Sequence, residues 1–465
     1  VTQVETSSPR STTHETIADP LTDAGATPGV DQAVAAPRAS RLPWRRGSGR
    51  PRSGGMFSAL TERNFRIYAG GAAVSNVGTW MQRVAQDWLV LELSHGSGVA
   101  VGITTALQFL PMLLLSPYGG LMADRFDKRF ILKLTQAWMA LTAGLLGVLA
   151  ITGHAETWHV YLIAFAFGLA TAFDNPARQS FVSEIVGREK LTNAIALNSA
   201  NFNAGRIIGP AVAGVVIAAF GSGWAILGNA VSYVAFILAL VLIDAGRLHL
   251  VTPTKRAAHQ LREGAAYVWG RKDILVVLFT VFFVGTFGMN FQMTSALMAT
   301  QVFHKGAAEY GILGTFMAVG SLAGALLAAR RTHPPRARFI VIMACVFAVV
   351  EMVVGMMPSY VSYAAALPIM GLVSLSTLTA ANACVQMGVD PQFRGRVMAI
   401  YAMVMMGGTP VGAPLLGWVG QTFGARWTLI GGGGLTLLGV VVSVLLLARA
   451  NGVVIRSALP HRTAD

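Results

Sequence analysis

Charge is what this chain has least of. Only 12% of its 465 residues are Asp, Glu, Lys or Arg, against about 25% in a soluble globular protein. Acid is scarcest, with 21 Asp and Glu against 35 Lys and Arg, for a net charge of +14. Cysteine is nearly absent. Cys345 and Cys384 both fall in apolar stretches, where a thiol packs as a small hydrophobe and says nothing of redox compartment. No Gly-x4-Gly-Lys-Ser/Thr loop occurs, so direct ATP hydrolysis has no support. His154 and His159, with Glu156 between them, have poor spacing for a metal outside a helical frame. That removes the main argument for a membrane-embedded enzyme, and no metal or cofactor is expected. The first 55 residues hold no apolar core of a cleavable signal peptide.

What is present is apolar sequence, at 54% of the chain and a mean hydropathy of +0.57. Twelve apolar stretches fall near 67–93, 97–122, 130–152, 158–180, 193–220, 224–244, 274–300, 309–329, 339–357, 360–387, 397–423 and 427–448. Each is long enough for a hydrocarbon core of about 30 Å, which takes about 20 residues of helix. The basic residues fall in alternate gaps. Arg125, Lys128, Arg129 and Lys133 follow stretch two, Arg178, Arg188 and Lys190 stretch four, and Arg394 and Arg396 stretch ten. The opposite gaps hold only Lys305 and Arg426. Basic loops stay on the cytoplasmic side, so the pattern predicts a multi-pass protein with both termini in the cytoplasm. Arginine outnumbers lysine, and alanine, glycine and valine abound, as in a GC-rich bacterial genome; the expected location is a bacterial inner membrane. The net positive charge is dispersed by topology instead of gathered on one face, which argues against a nucleic-acid partner and for an anionic inner leaflet.

The expected class is an all-α polytopic membrane protein with twelve transmembrane helices in two pseudo-symmetric six-helix bundles. Residues 1–60 read as a disordered cytoplasmic tail, 61–244 as the first bundle and 274–449 as the second. Residues 245–273 form a cytoplasmic linker whose segment from Gln260 to Trp269 has the spacing of a helix lying on the membrane surface. Residues 450–465 are a second cytoplasmic tail. The bundles share internal similarity. Gly205, Gly209 and Gly214 recur 203 residues later as Gly408, Gly412 and Gly417. Gly120 to Arg125 after the second stretch resembles Gly324 to Arg330 after the eighth. Two duplicated halves that rock against each other are the architecture of a secondary transporter.

These residues also carry a resemblance. Gly120-Leu-Met-Ala-Asp124-Arg125-Phe-Asp127-Lys128-Arg129 resembles the loop motif of the major facilitator superfamily, departing at Asp127, where glycine is usual. Gly205-Arg206-Ile-Ile-Gly209-Pro210-Ala-Val-Ala213-Gly214 resembles that superfamily's antiporter motif, departing at Ala213. The segment from Phe173 to Val186, and Trp80 to Leu93, resemble the branch of enterobactin exporters and macrolide efflux proteins. An arginine that many drug–proton antiporters carry in helix 4 is missing between Val160 and Phe173. The resemblance implies a monomer. It implies a conformational latch in which Gly120 permits close helix approach, Asp124 meets a helix N-terminus of the other half, and Arg125 or Arg129 pairs with Asp174 near Arg178. It implies that the glycine stripe of helix 5, with Pro210 as a kink, faces the other half near helix 8.

Few charges lie well inside the stretches: Arg83, Asp87, Arg206 and Glu351. A lone charge at mid-membrane costs about 2.5–3.5 kcal/mol on insertion scales and is expected to meet a cavity or a partner. Arg83 and Asp87 stand four apart and are expected to pair. Asp87, tuned by Arg83, is one candidate proton carrier, with Glu351 a second; a permanent structural ion pair is the plain alternative. Arg206 either binds an anionic substrate or holds an acid of helix 1. Cavity candidates are Gln82 and Gln86 in helix 1, Phe287, Met289, Asn290, Gln292 and Met293 in helix 7, and Asn382 and Gln386 in helix 10. The sequence thus points to proton-coupled efflux of an amphiphilic small molecule. An importer of sugar or another small polar nutrient is the alternative within transport, and a membrane sensor or scaffold the alternative outside it.

Overall fold

The computed structural model describes residues 57–187, 189–249, 260–331 and 335–449. Both expected tails lie outside the described residues apart from 57–60, and so do positions 250–259 of the linker. The first half comprises α1 (Arg63–Leu93), α2 (Gly98–Arg125), α3 (Lys128–Ile151), α4 (Thr157–Val186), α5 (Leu191–Phe220) and α6 (Ser222–Leu242). A surface helix, α7 (Gln260–Gly270), precedes the second half. That half begins with a broken seventh span, α8 (Lys272–Phe283) and α9 (Phe291–Leu297). It continues with α10 (Ala307–Ala329), α11 (Ala337–Gly355) and α12 (Tyr360–Gly388). An eleventh span split into α13 (Arg394–Gly407) and α14 (Thr409–Phe423) follows, and α15 (Arg426–Arg449) is the last.

Eleven of these spans are long and apolar enough to cross a membrane. The twelfth, α1, is 31 residues long but less apolar, with Asn76, Gln82, Arg83, Gln86, Asp87 and Glu92 along it, and it packs on both α5 and α6. Local chemistry sets several helix starts. Ser97 accepts from the Ala100 N–H at 3.3 Å and opens α2. Asp127 accepts from the Arg129 N–H at 2.8 Å and opens α3. Asp127 is where the loop motif departs from the glycine usual in the superfamily; here the acid serves as an N-cap.

The duplication has a structural meaning, read from where a side chain would collide. A Cβ on Gly205 or Gly209 would meet Asn76 or Trp80 of α1, the first helix of the same half. A Cβ on Gly408 or Gly412 would meet Thr286, in the first span of the second half. The third glycine of each set crosses over. Gly214 abuts Ala307 and Ala308 of α10, and Gly417 abuts Gly98 and Val99 of α2. So α5 docks on α10 and α14 on α2, and small residues let these backbones touch. The expectation that the whole helix 5 stripe faces the other half is corrected: Gly205 and Gly209 face α1, while Pro210 and Gly214 face α10.

Among the described residues, the halves touch at the end opposite Ser58 and Arg449 and at mid-span. At that far end the Ser97 hydroxyl donates to Gln421 Oε1 at 2.9 Å and the Gln301 amide donates to the Gly96 carbonyl at 2.7 Å. Nearer mid-span the Thr315 hydroxyl donates to the Ile207 carbonyl at 3.0 Å. A Cβ on Gly407 would rest 3.2 Å from Leu113.

Two spans read as continuous in sequence are interrupted. The seventh passes through π-helical turns at Val284–Gly288 and Met298–Val302, with a break at Met289 and Asn290. The eleventh is interrupted at Gly408, between α13 and α14. Non-helical backbone at membrane depth is tolerated where it is covered by protein or lines a cavity, and Met289 and Asn290 line the cavity described below. The linker helix α7 is docked on α13. Its Gly264 sits against Arg396 of α13, Glu263 pairs with Arg396 at 2.5 Å, and the Tyr267 ring stacks on Phe393.

Candidate substrate cavity

A cavity of about 280 Å³ lies between the halves. From the first half, α1 contributes Trp80, Arg83 and Asp87, α2 contributes Thr105, Gln108 and Phe109, and α5 contributes Arg206 and Pro210. From the second half, the broken seventh span contributes Met289 to Met293 and Ser295. Helix α10 adds Tyr310, Gly314 and Met317, α12 adds Leu378, and the eleventh span adds Met405, Met406 and Thr409. An apolar, methionine-rich wall with a few converging polar groups is the usual make-up of a small-molecule site.

The charged groups are not arranged as the sequence suggested. Arg83 and Asp87 do not form the expected ion pair. Arg83 instead lies over the rings of Trp80, at 4.9 Å, and Phe109, at 5.7 Å. Its Nε is buried without a hydrogen-bond partner. The four-residue spacing puts both groups on one face, but the aromatic side chains capture the guanidinium. Asp87, 8% exposed, accepts from the Tyr310 hydroxyl of α10 at 3.3 Å. The same hydroxyl lies 3.2 Å from the Gln292 carbonyl. One phenolic proton is therefore shared between an acid of the first half and a backbone carbonyl of the second. Arg206 donates to the Ser321 hydroxyl of α10 at 2.7 Å and lies 5.9 Å from the Trp80 ring centre. It holds no acid of α1.

Of the other cavity candidates, Met289, Asn290, Gln292 and Met293 line the space. Gln82 does not, because its Oε1 accepts from Asn229 of α6 inside the first half. Gln86 is buried away from it. Phe287 stacks on Phe283, while Asn382 and Gln386 fall outside the lining. Glu351 is also elsewhere. It is 1% exposed within the second half, its Oε2 has no hydrogen-bond partner, and it faces Gly288 and Gly432. Sequence reasoning passed over Thr105, Gln108, Phe109, Tyr310 and the Met405–Met406 pair. The methionine pair beside Gly407 and Gly408 offered a signal; Tyr310 offered none.

The latch candidates sit in the first half at the end bearing Ser58 and Arg449. Asp174 Oδ1 accepts from Thr135 and Gln136, at 2.9 and 2.8 Å, and Oδ2 from Arg178 Nε at 3.0 Å. Arg129 donates instead to the carbonyls of Leu240 and Val241 at the end of α6. With the halves in this arrangement neither Arg125 nor Arg129 reaches Asp174, and Arg178, one helical turn along, holds the acid. Arg125 is exposed and Asp124 half-buried at the end of α2. Beside Gly120, Gly119 is closely approached: a Cβ there would lie 2.2 Å from the Ala172 carbonyl of α4.

Residues 54–456 match the family described as transmembrane secretion effector, a branch of the major facilitator superfamily. The chain belongs to that family. It is a multi-pass membrane transporter of the efflux branch and not an enzyme. It is 26% identical to a multidrug efflux pump of Mycolicibacterium fortuitum, over 77% of this chain and 90% of that one. It is 22% identical to an enterobactin exporter of Citrobacter koseri, over 83% and 92%. A staphyloferrin A transporter of Staphylococcus aureus is 27% identical over 54% of this chain, a match spanning 63% of that protein. Among solved structures, an inward-facing bacterial homologue of the lysosomal transporter Spinster superposes with a TM-score of 0.61 at 14% identity, covering 83% of this chain and 96% of that one. A D-xylose–proton symporter gives 0.63 at 11% identity, covering 83% and 97%. These two likenesses carry the fold alone.

Proposed function

We propose that this transporter exports an amphiphilic small molecule, drug-like or siderophore-like, in exchange for protons, by alternating access between its two halves. Both termini then lie in the cytoplasm, and the end where the halves close faces outward. The reading rests above all on the contact between Asp87 and Tyr310. Asp87 is the cavity's acid, and it is bonded across the two halves. When ionised, it accepts the hydrogen bond from the Tyr310 hydroxyl. When protonated, it donates to the Tyr310 oxygen, and the phenolic proton turns to the Gln292 carbonyl. Protonation thus redistributes bonds between α1, α10 and the broken seventh span. Rocking that parts α1 from α10 breaks the contact and changes the hydration of the acid, and both change its proton affinity. A proton moving down a potential supplies about 2.3 kcal/mol per 100 mV, which needs no nucleotide. The names of the efflux relatives support export over nutrient import.

The test is proton movement in proteoliposomes that hold a pH dye. An imposed proton gradient is followed by a panel of cationic dyes, macrolides and siderophores. Compound-dependent proton movement with the native protein, and its loss with Asp87→Asn, is the expected result. Movement that survives Asp87→Asn would transfer the coupling role to another acid, Glu351 first. No response to any compound would demote broad efflux in favour of a single dedicated substrate.

A further inference from the structure

Taking the cavity as the substrate site, we infer that it selects molecules carrying an anionic group, a carboxylate or sulfonate, attached to an apolar body. Two guanidinium groups line it, Arg83 and Arg206, and among the described residues neither belongs to an ion pair. Their contacts are neutral: the rings of Trp80 and Phe109 for Arg83, and the Ser321 hydroxyl and Trp80 ring for Arg206. The Trp80 ring is common to both, so the two cations share one aromatic neighbour. Asp87 is the one acid in the lining, and it is engaged by Tyr310. The cavity therefore carries a net charge of about +1 with Asp87 ionised and about +2 with it protonated.

That charge is costly to keep dry. Removing a guanidinium from water costs several kcal/mol, of which a cation–π contact returns about 0.5–2 kcal/mol. The buried Nε of Arg83 adds an unused donor. A ligand with two terminal oxygens answers both needs, since a guanidinium fork binds such groups through paired, charge-assisted hydrogen bonds. The remaining wall, with Met289, Met293, Met317, Met405 and Phe291, is apolar and adaptable. It suits a hydrophobic body of variable shape. A cationic amphiphile would meet the same wall and be repelled by both arginines.

Purified protein in lipid nanodiscs, with empty nanodiscs subtracted, can be dialysed to equilibrium against three probes sharing one fluorophore. Dansylglycine is anionic, dansylamide neutral and dansylcadaverine cationic. Dansylglycine should bind at least about tenfold more tightly than dansylcadaverine, which corresponds to about 1.4 kcal/mol. Arg83→Gln and Arg206→Gln should each lower that preference, Arg83→Lys and Arg206→Lys should restore part of it, and Asp87→Asn should raise it. Equal retention of all three probes, preference for the cation, or no binding at all would overturn the inference. A preference that persists in both glutamine variants would overturn its assignment to these arginines. The measurement is separate from export. Proton-linked flux with a preferred cation would uphold the transporter reading and refute this one, and anion binding without flux would do the reverse.

Discussion

Tyr310 and Glu351 show how differently two buried polar side chains can stand toward the transport path. Tyr310 has one proton and two acceptors, one in each half. Tyr310→Phe keeps the ring that stacks on Trp88 and removes only the hydroxyl. The variant should fold and bind as before, while the pH profile of transport moves, read as compound-driven flux against pH in proteoliposomes. An unchanged profile would mean that the hydroxyl does not report on Asp87. Glu351 is deeper, has an unpartnered Oε2 and lies outside the cavity. Replacing a buried ionisable group by an apolar one of similar volume is often neutral or stabilising by about 1–4 kcal/mol. Glu351→Leu should therefore keep or raise the thermal midpoint in detergent and leave proton-coupled flux intact. Loss of that flux in a folded variant would bring Glu351 into the coupling path. Its acid was legible as a mid-span charge, but whether it faced the cavity, lipid or core was not, because that depends on how α11 is rotated against α8 and α15.

Among the elements, the glycine-bearing helices carry the sharpest structural demand. A Cβ on Gly412 would lie 1.7 Å from the Thr286 carbonyl, whereas one on Gly70 of α1 meets nothing within 4 Å. Gly412→Ala must push α14 off the seventh span, and overpacking of this kind costs about 1–3 kcal/mol or more. Gly70→Ala adds helix propensity without a clash and should be neutral or slightly stabilising. Thermal unfolding of the two variants in the same detergent checks the contrast; equal midpoints would mean that the α14 contact is not tight. The repeat of glycines was readable in the sequence, as was its spacing. Which glycine faced its own half and which crossed to the other was not, since three positions on one helix can meet two neighbours. The interruptions at Met289–Asn290 and Gly408 were also hidden, because hydropathy averages over a break of two residues.

At the scale of the whole molecule, the halves meet at the far end and at mid-span. The hydrogen bond between Ser97 and Gln421 offers a handle on that closure, since it joins α2 to α14 across the interface. Ser97→Cys with Gln421→Cys, in a background where Cys345 and Cys384 are replaced by alanine, should cross-link under mild oxidation. Oxidation should stop flux, and a reducing agent should restore it. Flux that continues at full rate with the cross-link in place would show that the far end need not open. Binding of ligand from the other side should persist in the locked form, because alternating access changes which side reaches the cavity without dismantling it.

Membrane class, helix count and the division into duplicated halves were determined by the sequence itself. Those properties follow from the cost of taking backbone and charge into hydrocarbon, which each segment meets on its own, so a linear pattern records them. The partners of the cavity's charges were decided only by the tertiary structure. Four-residue spacing offered Asp87 to Arg83, yet Trp80 and Phe109 took the arginine and a tyrosine from 223 positions away took the acid. Asp174, by contrast, is held by Arg178, one turn along its own helix, as four-residue spacing allows. A buried polar group bonds with whatever packing brings within about 3 Å, and in a bundle of twelve helices that neighbour is seldom the one nearest in the chain.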